Sequence, residues 1–162
     1  MSQTDTPVAD APTPEQLHAS PAALAHAGRG KIVEARRDGT IAFQPRGTQY
    51  ELHLVAGDDV ADRVGKPTKA LVHVDARKVY TVPSGGNFVV PIVGATRIVQ
   101  GRVVDLWEGG LHGTGQLLVQ AGAMVLVDLP ADASAVDLAN GPIEQGALVN
   151  VVAHPGAGLR LG

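Results

Sequence analysis

From Gly30 onward, apolar and polar residues alternate with a period of two. Most of the runs are short and are cut by Gly, Pro, Asn or Asp. That pattern suits half-buried strands joined by turns and leaves no stretch for a long helix. The 20 Gly and 11 Pro are concentrated between the apolar runs. Hydrophobic residues make up 44% of the chain but aromatics only 3%, so the core must be built from Val, Leu, Ile and Ala. The expected fold class is all-β.

The strands can be placed individually. Lys31–Arg36 and Thr40–Gln44 flank the turn dipeptide Asp38-Gly39, and Pro45-Arg46-Gly47 turns the chain again. In Tyr50–Leu54, Tyr50, Leu52 and Leu54 are expected inward, with Glu51 and His53 outward. Asp58–Val64 reads as one helical turn ended by Gly65. The strand from Ala70 puts Ala70, Val72, Val74 and Ala76 on one face and Leu71, His73, Asp75 and Arg77 on the other. Its alternation fails at Arg77-Lys78-Val79, which predicts a bulge or a change of sheet.

A second set of runs follows the same order. Gly101–Val104 matches Gly30–Val33, Gln116–Gln120 matches Thr40–Gln44, and Met124–Asp128 matches the strand around Leu52. Asp132–Asn140 replaces the 58–64 segment, and Gly146–Val151 matches Lys69–Val74, so the offset drifts from about 71 to about 77 residues. Duplication is expected, with loops absorbing the length changes. The division is an arm over 1–28, a first unit over 29–82, a bridge over 83–96 and a second unit over 97–162. The arm is expected to be disordered or briefly helical, with Thr13 and Ser20 as caps and Pro in the first helical position.

Each unit has four or five short strands with its longer connection after the third. A sheet that small leaves edges exposed, and closure into a barrel removes them. In strand count and in the place of the long connection, the chain resembles tandem OB-like or TOBE-like barrels. The run Arg77-Lys78-Val79-Tyr80-Thr81-Val82-Pro83-Ser84-Gly85-Gly86 is also similar to one that bridges two such units in uncharacterised bacterial proteins. The resemblance implies two tandem OB-like barrels and no particular activity.

Charge is unevenly distributed. Residues 29–102 hold twelve bases and seven acids, whereas 103–162 hold Arg160 against six acids. Opposite halves point to head-to-tail contact between copies, or to an anionic partner for the first unit. With no Cys there is no disulfide, thiolate metal site or cysteine nucleophile. No apolar run approaches the roughly 20 residues of a membrane span. The first residues lack the pattern of a secretory signal, so a cytoplasmic protein with no membrane partner is expected.

The bridge Pro83–Asn87 offers backbone N–H groups on a glycine pair, a geometry that can cradle an anion. With the neighbouring cations it gives the candidate set for an anion or nucleic acid: Lys31, Arg36, Arg37, Arg77, Lys78, Ser84, Gly85, Gly86, Arg97 and Arg102. The apolar run Phe88–Val93 is expected to pack between the units, with an exposed patch that pairs with another copy as the weaker alternative. Gly109–Gly115 joins two strands and reads as a long mobile hairpin rather than a phosphate loop. His53 and His73 are expected outward and solvated, with a metal site near Asp75 as the weaker alternative. No serine lies in a nucleophile elbow. No cofactor, metal or catalytic residue is expected, and the function expected is that of a non-catalytic binding or assembly module.

Overall fold

The computed structural model describes residues 20–56 and 58–162, and the expected arm lies outside the described residues as far as residue 19. The described chain is all-β. Its strands are β1 (Gly28–Ala35), β2 (Thr40–Pro45), β3 (Glu51–Ala56), β4 (Pro67–Thr81), β5 (Phe88–Val90), β6 (Val93–Ala95), β7 (Ile98–Trp107), β8 (Gln116–Gln120), β9 (Met124–Asp128), β10 (Val136–Asp137), β11 (Leu148–Ala153) and β12 (Gly158–Leu161). A single helical turn, α1 (Pro21–Leu24), precedes them; Ser20 Oγ caps it by accepting from Ala23 N. No helix among the described residues is long and apolar enough to cross a membrane.

Local chemistry explains the turns. Asp38 accepts from Thr40 N and Oγ1, and Gly39 has φ 89°, the left-handed conformation that a two-residue hairpin needs. The 58–64 segment forms a 3₁₀ turn over Ala61–Arg63, followed by Gly65 at φ 82°. Around Arg77 the ladder between β4 and β11 steps from Lys78 opposite Val152 to Ala76 opposite Ala153. Arg77 is therefore the extra residue of a bulge, as the broken alternation predicts.

The pairings form two closed circuits. β1 pairs with β2, β2 with β3, β3 with β12, β12 with β4, and β4 returns to β1. In the second circuit β7 pairs with β8, β8 with β9, β9 with β4, β4 with β11, and β11 returns to β7. In both, the joins β3–β12 and β9–β4 are parallel and the rest antiparallel. β4 serves both circuits: Pro67–Ala70 run beside β1 and Ala76–Thr81 beside β11. β12, at the far end of the sequence, completes the circuit begun by β1. The sequence units 29–82 and 97–162 thus each give strand length to the other's circuit.

This sharing buries β4 on both faces. Ala70, Val72, Val74 and Ala76 enter the main core with Ile32, Phe43, Leu54, Val99 and Val127. On the other face, Leu71 joins Ala23, Leu118 and Leu126, beneath α1. Here the sequence expectation fails: His73 is fully buried and Asp75 nearly so, not solvated. Strict alternation assumes one wet face, and β4 has none between Ala70 and Ala76.

The two circuits repeat one close-packed detail. A side chain at Gly30 would overlap the Gln44 carbonyl oxygen and the Phe43 ring; one at Gly101 would overlap the Gln120 carbonyl and Val119. Two residues later each strand bulges, between Ile32 and Glu34 in β1 and between Val103 and Asp105 in β7. The bridge does not act purely as packing between units. β5 pairs with β7 and buries Val89, and β6 pairs with β3, but Ile92 and Val93 remain 60% and 57% exposed.

Because β4 is common to both circuits, they are expected to unfold together. Urea denaturation followed by Trp107 fluorescence, which reports β7, and by far-UV circular dichroism should give one coincident midpoint. Leu159→Ala, in the fully buried part of β12, should lower the unfolding free energy by about 2–5 kcal/mol and shift both signals together. Two separated transitions would show that the circuits are independent.

Candidate functional site: a basic cleft beside β1

The first residues of β1 and β4 run side by side, with Arg29 opposite Lys69 and Lys31 opposite Pro67; on the other flank Lys31 faces Gln44 of β2. Directly paired residues share a sheet face, and here it is the outer one, since Gly30 and Ile32 turn toward Phe43 and the core. Two peripheral segments turn this face into a cleft of about 790 Å³. One is the turn after β2, tied down by Arg46 N donating to Arg29 O, Gln44 Nε2 to Thr48 O, and Thr48 Oγ1 to Pro45 O. The other is the 3₁₀ turn, held by Gly65 N donating to Ile32 O, with Arg63 Nη1 donating to Thr68 Oγ1.

Five cationic side chains line the cleft: Arg29, Lys31, Arg46, Arg63 and Lys69. No Asp or Glu lines it, and among the described residues none of the five is within salt-bridge distance of a carboxylate. Like charges directly across a ladder are destabilising, and among the described residues no Asp or Glu side chain forms an ion pair with Arg29 or Lys69.

Of the sequence candidates, Lys31 alone lines this cleft. Arg36 and Arg37 lie at the hairpin beyond β1, with Arg36 Nε 4.0 Å from Asp38. Arg77 and Lys78 are exposed at the β4 bulge. Arg97 precedes β7; Arg102, on β7, donates to Gly146 O. Ser84, Gly85 and Gly86 lie over the second circuit, where Gly86 O accepts from Gln100 Nε2 at 2.9 Å. Sequence reasoning passed over Arg29, Arg46, Arg63 and Lys69. The one legible signal was the alternation Arg29-x-Lys31 against Pro67-x-Lys69, which marks one face of two strands without saying that they are neighbours.

A second polar cluster has a different character. Asp75 and Asp128 are opposite each other on the parallel strands β4 and β9. Asp128 is 1% exposed and accepts from His73 Nε2, Leu111 N and Gln116 Nε2, each at 2.9 Å. Asp75 accepts from His112 Nε2 at 2.9 Å. Gly110 packs so closely that a side chain there would meet Asp128 Oδ1. The 109–115 loop is therefore anchored onto two carboxylates rather than standing away as a mobile hairpin. His53 lies on β3, bonded to Glu51, and is not brought to His73. No group of three or more metal-ligating residues converges among the described residues. His73 Nδ1 is buried without a partner, so no hydroxyl is in place for a nucleophilic triad. The cluster closes a loop.

Burial pushes the Asp128 carboxyl up, but the bonds from His73, Leu111 and Gln116, with the attraction of His73, outweigh it and hold the group below its ordinary value of 3.8. A carboxyl depressed in the folded state stabilises fully above its unfolded pKa, and that stability is lost as pH falls through the folded value. Asp128→Asn should therefore lower stability at neutral pH by about 3 kcal/mol. It should also flatten the acid limb below about pH 4. Urea midpoints of both proteins measured from neutral pH downward check this.

Comparison with protein-family models, with curated proteins and with solved structures finds no match to this chain.

Proposed function

We propose that this protein is a non-catalytic β-barrel module that binds an anionic ligand through the basic cleft of its first unit. The observation that carries the proposal is the unneutralised Arg29–Lys69 pair, held in register beside Lys31 and flanked by Arg46 and Arg63. A folded surface that keeps like charges opposed, with no Asp or Glu in its lining, favours a bound anion. The cleft's volume lies in the range of small-ligand sites. No aromatic side chain lines it, so it lacks the stacking platform that single-stranded nucleic acids use, and that reading is the weaker one.

The proposal includes the architecture. We read the two circuits as OB-like barrels related by internal duplication and intertwined through β4 and β12. The matching Gly30 and Gly101 contacts, the matching bulges and the matching parallel joins support this reading. In such barrels an outer sheet face with its flanking loops is the usual place for a ligand, in keeping with the cleft.

Calorimetric titration with inorganic pyrophosphate at low salt should give measurable binding that weakens as salt rises. Arg29→Ala with Lys69→Ala should reduce affinity about tenfold or more, about 1.4 kcal/mol. Arg77→Ala with Lys78→Ala should leave it unchanged. Lys69→Ala alone should raise unfolding stability by a few tenths of a kcal/mol, by relieving the like-charge pair. Absence of pyrophosphate binding by the unaltered protein at low salt would remove the proposal.

A further inference from the structure

The second circuit contains its own version of the cleft, already filled. Taking Gly30 and Gly101 as the common point, Gln100 holds the place of Arg29, Arg102 that of Lys31, and Asn150, opposite Gln100, that of Lys69. Leu148, opposite Arg102, stands where Pro67 does. Gln100 and Asn150 are bonded to each other, Asn150 Nδ2 to Gln100 Oε1 at 2.9 Å, and both are buried. What buries Gln100 is polypeptide: a side chain at Gly85 would meet Gln100 Nε2 and touch Leu148, and Gln100 Nε2 donates to Gly86 O. The chain then runs on as β5, antiparallel to β7.

An outer face of this kind therefore accepts a polypeptide backbone crossing it, and the amide pair matches the neutral carbonyl that it receives. In the first circuit the same register positions carry Arg29 and Lys69, and among the described residues no segment crosses them. Exchanging a Gln–Asn pair for an Arg–Lys pair changes what the face prefers from a carbonyl dipole to a full negative charge, while the ladder register is kept. Arg46 and Arg63 extend that preference to both walls of the cleft.

Resting on the anion-binding reading above, we propose that the ligand of the basic cleft is an acidic segment of a partner polypeptide. It binds across the outer face of β1 and β4, as residues 84–87 lie over Gln100 in the second circuit. Its carboxylates take the places next to Arg29, Lys31 and Lys69. Backbone shape supplies the fit and charge supplies the choice of partner.

The test uses the full chain and a short fluorescent peptide alternating Val and Glu, read by anisotropy at low salt. Binding is expected, at least tenfold weaker for the same peptide with Gln for Glu, and displaced by pyrophosphate. The informative variant is Arg29→Gln with Lys69→Asn, which installs the pair already tolerated between β7 and β11 and so should fold. It should lose the preference for Glu over Gln. Pyrophosphate binding without peptide binding would overturn the peptide proposal and leave the anion-binding reading intact. So would single-stranded DNA binding more tightly than a peptide of equal charge. If neither pyrophosphate nor peptide binds, both readings fall. A concentration-dependent dimer that the peptide dissociates would identify the acidic partner as a second copy of the chain and support the proposal.

Discussion

Everything in this fold depends on β4 being shared by two circuits of one sheet. Fifteen residues long, it pairs with β1 and β12 through its first part, with β9 near its middle and with β11 through its last part. No shorter strand could do this, because closing either circuit without it would expose two edges. The demand also explains its composition. Both faces from Ala70 to Ala76 are buried, so the strand is built from small and branched apolar residues that fit between two layers. The two polar residues of that buried stretch, His73 and Asp75, are tolerable only because a partner is fixed for each of them.

The two charged regions of the molecule show opposite solutions to the same problem. Around Asp128, three donors meet one buried carboxylate, and the cost of desolvation is met inside the protein by the loop that the carboxylate holds down. Around Arg29, five cations are gathered at the surface, and among the described residues none is paired with a carboxylate. The first arrangement is closed and stabilising. The second leaves its field directed outward, where salt screens it in part and an anion can complete it. That difference separates a structural cluster from a site, and it is why the cleft carries the functional proposal although the histidine–aspartate pair looks more like catalytic chemistry.

Much of the local structure was legible in the sequence. The Asp38-Gly39 hairpin, the Ser20 cap, the single turn before Gly65 and the bulge at Arg77 all follow from nearest-neighbour chemistry, and the structure contains each of them. Long-range pairing was not legible. Nothing in residues 158–161 says that they lie between β3 and β4 rather than beside β11. The strand match was subject to a subtler limit. Ladder register places Leu148–Val151 where Pro67–Ala70 stand, four residues from the match of Gly146–Val151 with Lys69–Val74. An even shift keeps every side chain on its face, so alternation cannot detect it. The cleft was hidden for a related reason. Its cations come from β1, β4, a turn and a 3₁₀ turn, and only the closed circuit brings these together.

The duplication proposed above, followed by divergence, would account physically for the difference between the two outer faces. When a chain carries two copies of one unit, the bridge that precedes the second copy is tethered beside it at a high effective concentration, so the segment can cover that copy's face with little loss of chain freedom. Once covered, the face is best served by groups that satisfy a backbone carbonyl without burying charge, and Gln100 with Asn150 does this. A face with no such cover is under no pressure to lose its cations, and keeping them costs only the mutual repulsion of Arg29 and Lys69. The same scaffold can then present one sealed copy and one receptive copy, and the choice between them rests on two residue pairs at a single register position.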